Sequence, residues 1–378
     1  APWDWLYGRG YWWFGYDYEW YPGWKSWGCI RPHPFWIQWS PTQPEIVAEG
    51  ETTIGEDGTI TIPIDTTPAK IMHGNKDHTY SITAEVTDAS RRTIIGTGKI
   101  TAARKPFEVT VWTDRGYYRA GDTIIVNACT RTADGKAVTG KCTATLLRVT
   151  YKGDTPIEKK IQEWNIETDE EGFISIKISA SEKGQYRLSC KVTDNKNNTI
   201  EGAYLFTVMG DQTDANNYRF NALELVPDKK EYQPGEKVAL RVNTEQSDST
   251  VILLAKPTSG QIIIPKIIRL QGKSALEEIT VEKADMPNFF IEAITISDGK
   301  LHNEVRQIFV PPEKRVLNIE VSPSAKTYKP GEKASMQIKL TDFSGKPFKG
   351  STVISVYDKA VEYISGGSNV PEIKEFFW

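Results

Sequence analysis

The sequence of 378 residues has little of what would mark several protein classes, with only four cysteines and four histidines. It contains no apolar run of about 18 residues, so no segment is predicted to cross a membrane as a helix. The cysteines, Cys29, Cys129, Cys142 and Cys190, are too few for a disulfide scaffold and lack the Cys-x-x-Cys spacing of zinc sites. The sequence therefore argues against a membrane-spanning helix, a disulfide-rich domain and a structural zinc site.

The motifs of common enzyme classes are also missing. The sequence has no Gly-x-Ser-x-Gly elbow, phosphate-binding loop, His-Glu-x-x-His pair or dinucleotide fingerprint. Lys and Arg total 46 and Asp and Glu total 49, and this balance gives no reason to expect nucleic-acid binding. His73 and His78 flank Gly-Asn-Lys-Asp and offer metal ligands, but a polar turn is the commoner reason for such a stretch. We predict a non-enzymatic protein without a metal ion or other cofactor.

What the chain does have is an alternation of apolar and polar residues, interrupted by Gly, Asp, Asn and Pro turns, along almost its whole length. A period of two is typical of strands with one buried face, and helical periodicity is nearly absent. The hydrophobic fraction of 39% is enough to bury substantial cores, which excludes global disorder. The pattern predicts an all-β protein built from antiparallel β-sandwiches.

A strand–turn–strand unit occurs three times. Its turns read Tyr-Arg-Ala-Gly-Asp at 118–122, Tyr-Gln-Pro-Gly-Glu at 232–236 and Tyr-Lys-Pro-Gly-Glu at 328–332. Proline fixes φ in two of these turns and glycine reverses the chain in all three. A second unit, Tyr-x-Ile-x-Ala-x-Val-Thr-Asp at 80–88, matches Tyr-x-Leu-x-Cys-x-Val-Thr-Asp at 186–194. A weaker third copy of the second unit, Phe-x-Glu-x-Ile-x-Ile-Ser-Asp, lies at 290–298.

The repeat period of about 105 residues is the size of an immunoglobulin-like or fibronectin-like β-sandwich. It predicts five segments: a Trp/Tyr-rich inserted loop at 1–34, the C-terminal half of a sandwich at 35–106, complete sandwiches at 107–211 and 218–311, and the N-terminal half of a sandwich at 315–378. The chain starts without Met or a signal peptide, and both predicted ends cut through a sandwich. We interpret it as an internal segment of a longer protein.

The ordered motifs resemble a known family. The Tyr-x-Pro-Gly-Glu turns, followed by Asp-x-x-Gly-Lys-Pro at 342–347 and Ser-Val-Tyr-Asp-Lys-Ala-Val at 355–361, resemble the macroglobulin-like domains of the alpha-2-macroglobulin family. Further stretches are similar to the large bacterial members; they lie at 88–93, 104–107, 114–122, 286–290 and 371–378. The resemblance covers nearly the whole chain.

The resemblance implies a function. Family members trap proteases: a protease cuts an exposed bait segment and the surrounding macroglobulin-like domains rearrange. The chain would be the scaffold portion of such an endopeptidase inhibitor, with the bait just past Trp378. Its partners would be target proteases, met through that bait, and other domains of the same polypeptide. An extracytoplasmic location, in the periplasm, in the cell envelope or secreted, is also implied. The family's thioester motif, Cys-x-Glu-Gln, is absent, so covalent capture cannot be assigned to these residues.

The alternation also predicts which way the cysteines point. Cys142 and Cys190 share the parity of inward residues, so either a disulfide between them or two separate core thiols fits. Cys129 follows the inward Ala128 and is expected to point outward.

Nine of the 12 Trp residues lie within the first 39 residues, in a stretch without clean periodicity. Such rings stack on carbohydrate, sit at a membrane interface, or dock a partner domain, whereas a loop folded onto a neighbouring sandwich is the commoner arrangement. The candidate aromatic contact surface consists of Trp12, Trp13, Trp20, Trp24 and Trp27. If these rings bind glycans, the chain would instead belong to a cell-surface adhesin or carbohydrate-binding array.

Overall fold

The computed structural model describes residues 12–27, 45–74, 77–87, 91–180, 182–210, 215–257, 265–311, 317–325, 327–329, 331–342 and 345–350. The chain divides into two compact units, one of residues 1–210 and 217–219 and the other of residues 211–216 and 220–378. Strands dominate the described ranges, where the helical elements are α1 (Thr67–His73) and two 3₁₀ turns, Trp24–Ser26 and Lys283–Asp285. None of the helices described is long and apolar enough to cross a membrane.

The first unit contains a two-sheet sandwich, which we call sandwich 1. Its strands are β3 (Glu108–Thr113), β4 (Tyr117–Tyr118), β5 (Thr123–Arg131), β6 (Gly140–Lys152), β7 (Thr155–Glu167), β8 (Phe173–Ser179), β9 (Gly184–Asp194) and β10 (Thr199–Val208). One sheet has the order β3-β5-β8 and the other the order β4-β10-β9-β6-β7. All pairings are antiparallel except that of β4 with β10.

Alternation along these strands builds the core of sandwich 1. Ile124, Val126 and Ala128 of β5 are at most 1% exposed, and so are Leu188 and Val192 of β9. Burying a valine, leucine or isoleucine completely contributes roughly 1.5–3 kcal/mol. The inward positions of the two sheets therefore supply most of the stabilisation of this sandwich.

The second unit contains a similar sandwich, which we call sandwich 2. Its strands are β11 (Glu224–Pro227), β12 (Lys237–Asn243), β13 (Thr250–Pro257), β14 (Lys266–Arg269), β15 (Ser274–Thr280), β16 (Asn288–Ser297) and β17 (Lys300–Phe309). The sheets have the orders β11-β12-β15 and β14-β13-β16-β17. Their inward faces enclose a single apolar cluster that includes Leu240, Val251 and Ile291, each 0% exposed. The predicted all-β class with antiparallel sandwiches is confirmed.

Two hairpins lie outside the sandwiches. In the first unit β1 (His78–Thr87) pairs with β2 (Thr93–Ala102), and in the second β18 (Asn318–Pro323) pairs with β19 (Met336–Thr341). Apolar side chains of both hairpins stay open to solvent, with Ile94 74% and Ile319 62% exposed. These hairpins occupy the two predicted half-sandwiches, and the domain boundaries stay a prediction.

The repeated tyrosine turn has a defined hydrogen-bond network in sandwich 1. The Tyr118 hydroxyl donates to Asp114 Oδ1 at 2.7 Å and accepts from the amide of Arg115 at 3.1 Å. The same Asp114 oxygen accepts from the amide of Ile125 at 2.9 Å. Gly121 adopts φ 87°, which only glycine takes without strain. The network ties the strand before the turn to the strand after it.

The second turn uses the same arrangement, and the third keeps the hydrogen-bonded tyrosine with a serine in place of the aspartate. In sandwich 2 the Tyr232 hydroxyl donates to Asp228 Oδ1 at 2.7 Å, and that oxygen accepts from the amide of Ala239 at 2.9 Å. In the third turn the hydroxyls of Tyr328 and Ser324 lie 2.7 Å apart. A hydrogen-bonded tyrosine is therefore the physical basis of the sequence repeat.

The third copy of the second unit differs from its match. The sequence alignment places Phe290 at the position of Tyr186, which points into the core of sandwich 1. In β16 the buried side chains are instead Phe289, Ile291 and Ala293, at 2%, 0% and 0% exposure. Because a shift of one residue moves a side chain to the other face of a sheet, Phe290 belongs to the outward row. Each row of β16 contains three apolar and two polar residues, so the sequence pattern could not choose between them.

Candidate functional site

The described part of the Trp/Tyr-rich stretch, residues 12–27, packs onto sandwich 1, and we call it the aromatic segment. Around the 3₁₀ turn its rings meet edge to face: Tyr18 and Trp24 have centroids 5.3 Å apart, and Trp24 and Trp27 have centroids 5.7 Å apart. The buried rings are those of Phe14, Tyr16, Tyr18, Tyr21, Trp24 and Trp27, none more than 9% exposed. Such ring pairs contribute about 0.5–1.5 kcal/mol each beyond their burial.

Beneath the segment, the outward face of the five-stranded sheet carries an ionic cluster centred on Arg187 of β9. Arg187 Nε and Nη2 donate to the two carboxylate oxygens of Glu158 at 2.6 and 2.8 Å. Its Nη1 donates to Glu201 Oε1 at 2.7 Å, and the hydroxyl of Ser189 donates to the same oxygen at 2.6 Å. The Arg187 side chain is only 11% exposed. Paired geometry of this kind is the condition under which buried charges are tolerated.

The aromatic segment completes this cluster. The Tyr21 hydroxyl donates to Glu158 Oε1 at 2.5 Å, although the two residues lie 137 positions apart in the sequence. The ring of Trp27 lies under the guanidinium of Arg187, whose Cζ is 4.8 Å from the ring centroid. Ring and hydroxyl thus cap the arginine and the carboxylate together.

The charge states at this cluster are fixed near neutral pH. Burial would raise the pKa of the Glu158 carboxyl, but hydrogen bonds from Arg187 and Tyr21 outweigh burial and hold that pKa below its usual range. Burial and the hydrogen bond to Glu158 raise the pKa of the Tyr21 hydroxyl. Glu158 is therefore an anion and Tyr21 a neutral donor, and the hydrogen bond between them serves to position the segment.

Trp20 forms a second contact with the same sandwich. Its ring centroid lies 6.1 Å from that of Tyr151 and 4.5 Å from Cζ of Arg219. Arg219 is held by its own backbone: its amide donates to the Gln185 side chain at 2.9 Å, and the Gln185 amide group donates back to the Arg219 carbonyl at 2.8 Å. Arg219 Nη1 also donates to the carbonyl of Asp154 at 2.7 Å. The hydrogen bonds that hold Arg219 in place do not involve Trp20.

The start of the segment covers the other sheet of sandwich 1. Trp13 packs against Trp112 and Cys129, and the Trp112 and Phe173 rings lie 5.9 Å apart. Cys129 does lie on the face opposite the inward Ala128, yet it is only 2% exposed because this outward face is covered. The outward direction of Cys129 was predicted, whereas its burial was not.

The remaining cysteines are simple to place. Cys142 and Cys190 point into the core, each 1% exposed, and both are thiols that form no disulfide. Of the two alternatives, a disulfide or two core thiols, this structure therefore has the two thiols. Cys29 lies outside the described residues.

The five candidate contact residues are not equally accessible. Trp24 and Trp27 are each 5% exposed and face the protein, whereas Trp12, Trp13 and Trp20 are half-buried. Sequence reasoning missed Tyr21, Arg187 and Glu158, which anchor the segment. The outward parity of Arg187 between the inward Tyr186 and Leu188 was the available signal, but nothing in the sequence pairs it with residue 21.

Metal chemistry finds no support in the described ranges. There, no group of three or more His, Cys, Asp or Glu side chains lies together in a way that could hold a metal ion. The side chain of His73 falls outside the described part of the chain.

Comparison of the chain with models of known protein families gives two matches. A model described as the MG2 domain matches residues 108–208, which are the strands of sandwich 1. A model described as the alpha-2-macroglobulin bait region domain matches residues 223–364, which begin with sandwich 2. Together the two matches span roughly two thirds of the chain.

Individual relatives are distant and much longer. The alpha-2-macroglobulin homolog of Nostoc sp. is 26% identical over 209 residues, covering 51% of this chain and 11% of that protein. The inverse autotransporter adhesin YeeJ of Escherichia coli is 22% identical over 327 residues, covering 83% of this chain and 13% of that protein. A solved structure of native E. coli alpha-2-macroglobulin is 13% identical, covering 72% of this chain and 19% of that one, with a TM-score of 0.30.

The chain thus spans only about a tenth of the length of the curated relatives that it matches. Two adjoining family models nevertheless match it in the order in which the two sandwiches occur. On these matches, the chain belongs to the alpha-2-macroglobulin family.

Proposed function

We propose that this chain is the scaffold portion of a bacterial alpha-2-macroglobulin-like endopeptidase inhibitor, a protease trap, and that it positions a bait segment downstream. The observation that supports the proposal most is the match of the bait region domain model to residues 223–364, directly after the match of the MG2 domain to sandwich 1. In this proposal residues 315–378 form the first half of a later sandwich that leads into the bait.

The proposed role is mechanical and non-enzymatic. A trap needs domains that keep their shape while a protease approaches and that rearrange after the bait is cut. The tyrosine networks at Tyr118 and Tyr232, each tying two strands through an aspartate, suit a stiff domain. Target proteases would be the partners, and an extracytoplasmic location, where such proteases are met, is part of the proposal.

The test uses the longer polypeptide that contains this chain. Incubation with a broad-specificity protease is expected to cut it first beyond residue 378 while sandwich 1 and sandwich 2 stay intact. The protease should then remain bound, losing activity on large substrates while keeping it on small ones. A protease whose active site is chemically blocked is the control and should not be retained. Cleavage without retention, or first cleavage inside the sandwiches, would contradict the trap.

A second candidate function is a cell-surface adhesin or carbohydrate-binding array. It is favoured by the alignment with the adhesin YeeJ, which covers more of this chain than the Nostoc alignment does. The half-buried Trp12 would then contact the glycan, whereas the buried Trp24 would not. Changing Trp12 to Ala should abolish glycan-array binding with the fold retained, and Trp24→Ala is the packing control. Wild-type protein that binds no glycan would remove this candidate.

A further inference from the structure

Strand β16 of sandwich 2 carries apolar side chains on both of its faces. Phe289, Ile291 and Ala293 point into the core. The alternate positions include Ile294 and Ile296, which point outward. Strands that carry apolar residues on both faces are typical of sheets that are covered on both sides. The sequence of β16 therefore indicates that its outward face is also covered, by something outside the sandwich.

The neighbouring strands extend this outward row into a patch. Ile267, Ile252 and Ile294 lie directly opposite one another across β14, β13 and β16. Ile296 lies opposite Leu301 of β17. Side chains in such cross-strand positions touch, because their Cβ atoms are about 4.5–5.5 Å apart. We call these residues, with Val305, the outer patch.

The outer patch is open in this chain. Ile267 and Ile296 are each 70% exposed and Leu301 is 67% exposed, with Val305 at 42% and Ile252 at 38%. Contiguous aliphatic surface on a sheet face marks an interaction site more often than a solvated surface. Single exposed apolar residues need no such explanation, but five around one strand do.

Sandwich 1 shows the contrast. The outward positions of its strand β9 hold Arg187, Ser189 and Lys191, which are polar. The outer patch includes one charged neighbour, Glu292, which lies directly opposite Val305. Glu292 is half-buried and accepts a hydrogen bond from Asn303 Nδ2 at 3.0 Å, so its carboxylate is engaged within the sheet. A face of this composition offers little to a glycan or a nucleic acid and fits an apolar protein surface.

We propose that the outer patch is the interface with another β-sandwich of the same polypeptide, from outside the 378 residues of this chain. A flat antiparallel sheet packs face to face on a second sheet, about 10 Å away, with interdigitated aliphatic side chains. The chain spans 11% of the Nostoc relative that it matches, so a protein of that kind has ample further length to supply the partner. The protein also covers outward faces of sandwich 1 with its own residues 12–27. The interface does not depend on protease trapping.

The first test is site-specific photocrosslinking in the full-length polypeptide. A benzophenone amino acid replaces Leu301 in one variant and Glu278, an exposed residue on the other sheet of sandwich 2, in the control. The Leu301 position is expected to crosslink to peptides of the same polypeptide outside these 378 residues, without a doubling of mass. The proposal would be overturned if the Leu301 position crosslinked to a second copy, to a different protein or within these residues. It would also be overturned if the crosslinking yield were no higher than at Glu278.

The second test measures what the interface protects. Leu301→Asp is expected to speed amide hydrogen exchange in β16 and β17 of the full-length polypeptide at least about tenfold, since burying a leucine contributes roughly 1.5–3 kcal/mol and 1.4 kcal/mol is a factor of ten. The matched control is Lys237→Asp, at a site that is open on the other sheet. Unchanged exchange in β16 and β17 would overturn the proposal even if the crosslink were weak.

Discussion

Sandwich 1 and sandwich 2 share one architecture and one turn, yet their outward faces differ. In sandwich 1 the outward row of β9 is polar, and Arg187, Glu158 and Glu201 form a cluster that Tyr21 and Trp27 cap. In sandwich 2 the outward row of β16 is largely apolar, with Phe290, Ile294 and the exposed Ile296 beside Glu292. The buried carboxyl of Glu224 lies in the same sandwich.

The difference teaches that the inward rows and the turns specify the fold, whereas the outward rows specify what each sandwich meets. A polar row with a planar cation suits an aromatic cover with hydrogen-bonding hydroxyls. An aliphatic row suits another sheet. Four substitutions test this comparison and are given in order of decreasing expected loss of stability. Each one asks whether the loss is confined to the sandwich, or the segment, that carries the substitution.

The largest effect is expected from Gly202→Ala in sandwich 1. A Cβ at this position of β10 would lie 2.0 Å from the carbonyl oxygen of Val109, so β3 and β10 must move apart. We expect a loss of about 4 kcal/mol, at the upper end for single substitutions. Hydrogen exchange should increase throughout sandwich 1 and stay unchanged in sandwich 2. Gly98→Ala, where nothing lies within 4 Å of the new Cβ, is the control. Equal loss of protection in both sandwiches would show that they unfold together.

Arg187→Ala should come next. It leaves the Glu158 and Glu201 carboxylates beneath the aromatic segment without their shared cation, which costs about 3 kcal/mol at a buried site. The segment should detach first, seen as faster hydrogen exchange in residues 12–27. Lys191→Ala, at an exposed outward position of the same strand, is the matched control. If Arg187→Ala left the segment protected, ring packing alone would hold it.

Glu224 should make sandwich 2 sensitive to pH. Its carboxyl is 1% exposed, accepts from the amide of Asn221 at 2.8 Å, and faces both Glu304 and Arg306. Burial raises the pKa of Glu224 from 4.5 to about 8. In the unfolded chain the group ionises near pH 4.5, so its contribution to stability is fully present below that pH. The contribution declines as pH rises and is lost by about pH 8.

We therefore expect sandwich 2 to lose about 2 kcal/mol between pH 5 and about pH 6.5, a loss that Glu224→Gln removes. Urea unfolding followed at several pH values, with protection read separately for each sandwich, measures this. Glu278→Gln, at an exposed site of the same sandwich, should keep the wild-type profile. A profile that is the same for wild type and Glu224→Gln would mean that Glu224 is ionised when folded.

The smallest effect is expected from Tyr21→Phe. It removes the hydroxyl that donates to Glu158 at 2.5 Å and keeps the ring, so about 1.5 kcal/mol should be lost, as for hydrogen bonds to charged groups. Faster exchange should be confined to residues 12–27. Lys25→Ala, at an exposed position of the same 3₁₀ turn, is the control. An effect that spreads into the core of sandwich 1 would mean that the segment is part of its folding unit.

Much of the fold could be predicted because its signals are local. Alternation predicted the strands, and the spacing from Tyr to Gly predicted the turns at Gly121 and Gly235, which adopt positive φ. The β16 register could not be predicted, since its two rows are equally apolar. Cys129 pointed outward as expected, yet the cover that buries it comes from residue 13, more than a hundred positions away.

For the aromatic segment, the sequence predicted only the richness in aromatic residues and not their contacts. The excess of Trp marked residues 12–27, but composition does not say whether Trp24 and Trp27 face solvent or protein. The structure decides that they face protein.

By itself, the sequence determined the class of fold, the repeat and the family, because side-chain alternation and turn chemistry act between residues that are close along the chain. Only the tertiary structure decided which outward faces are covered. The contact of Tyr21 with Glu158 joins positions 137 residues apart, and the outer patch exists only where β13, β14, β16 and β17 lie side by side. Such contacts depend on which strands become neighbours in space, and no local pattern records that.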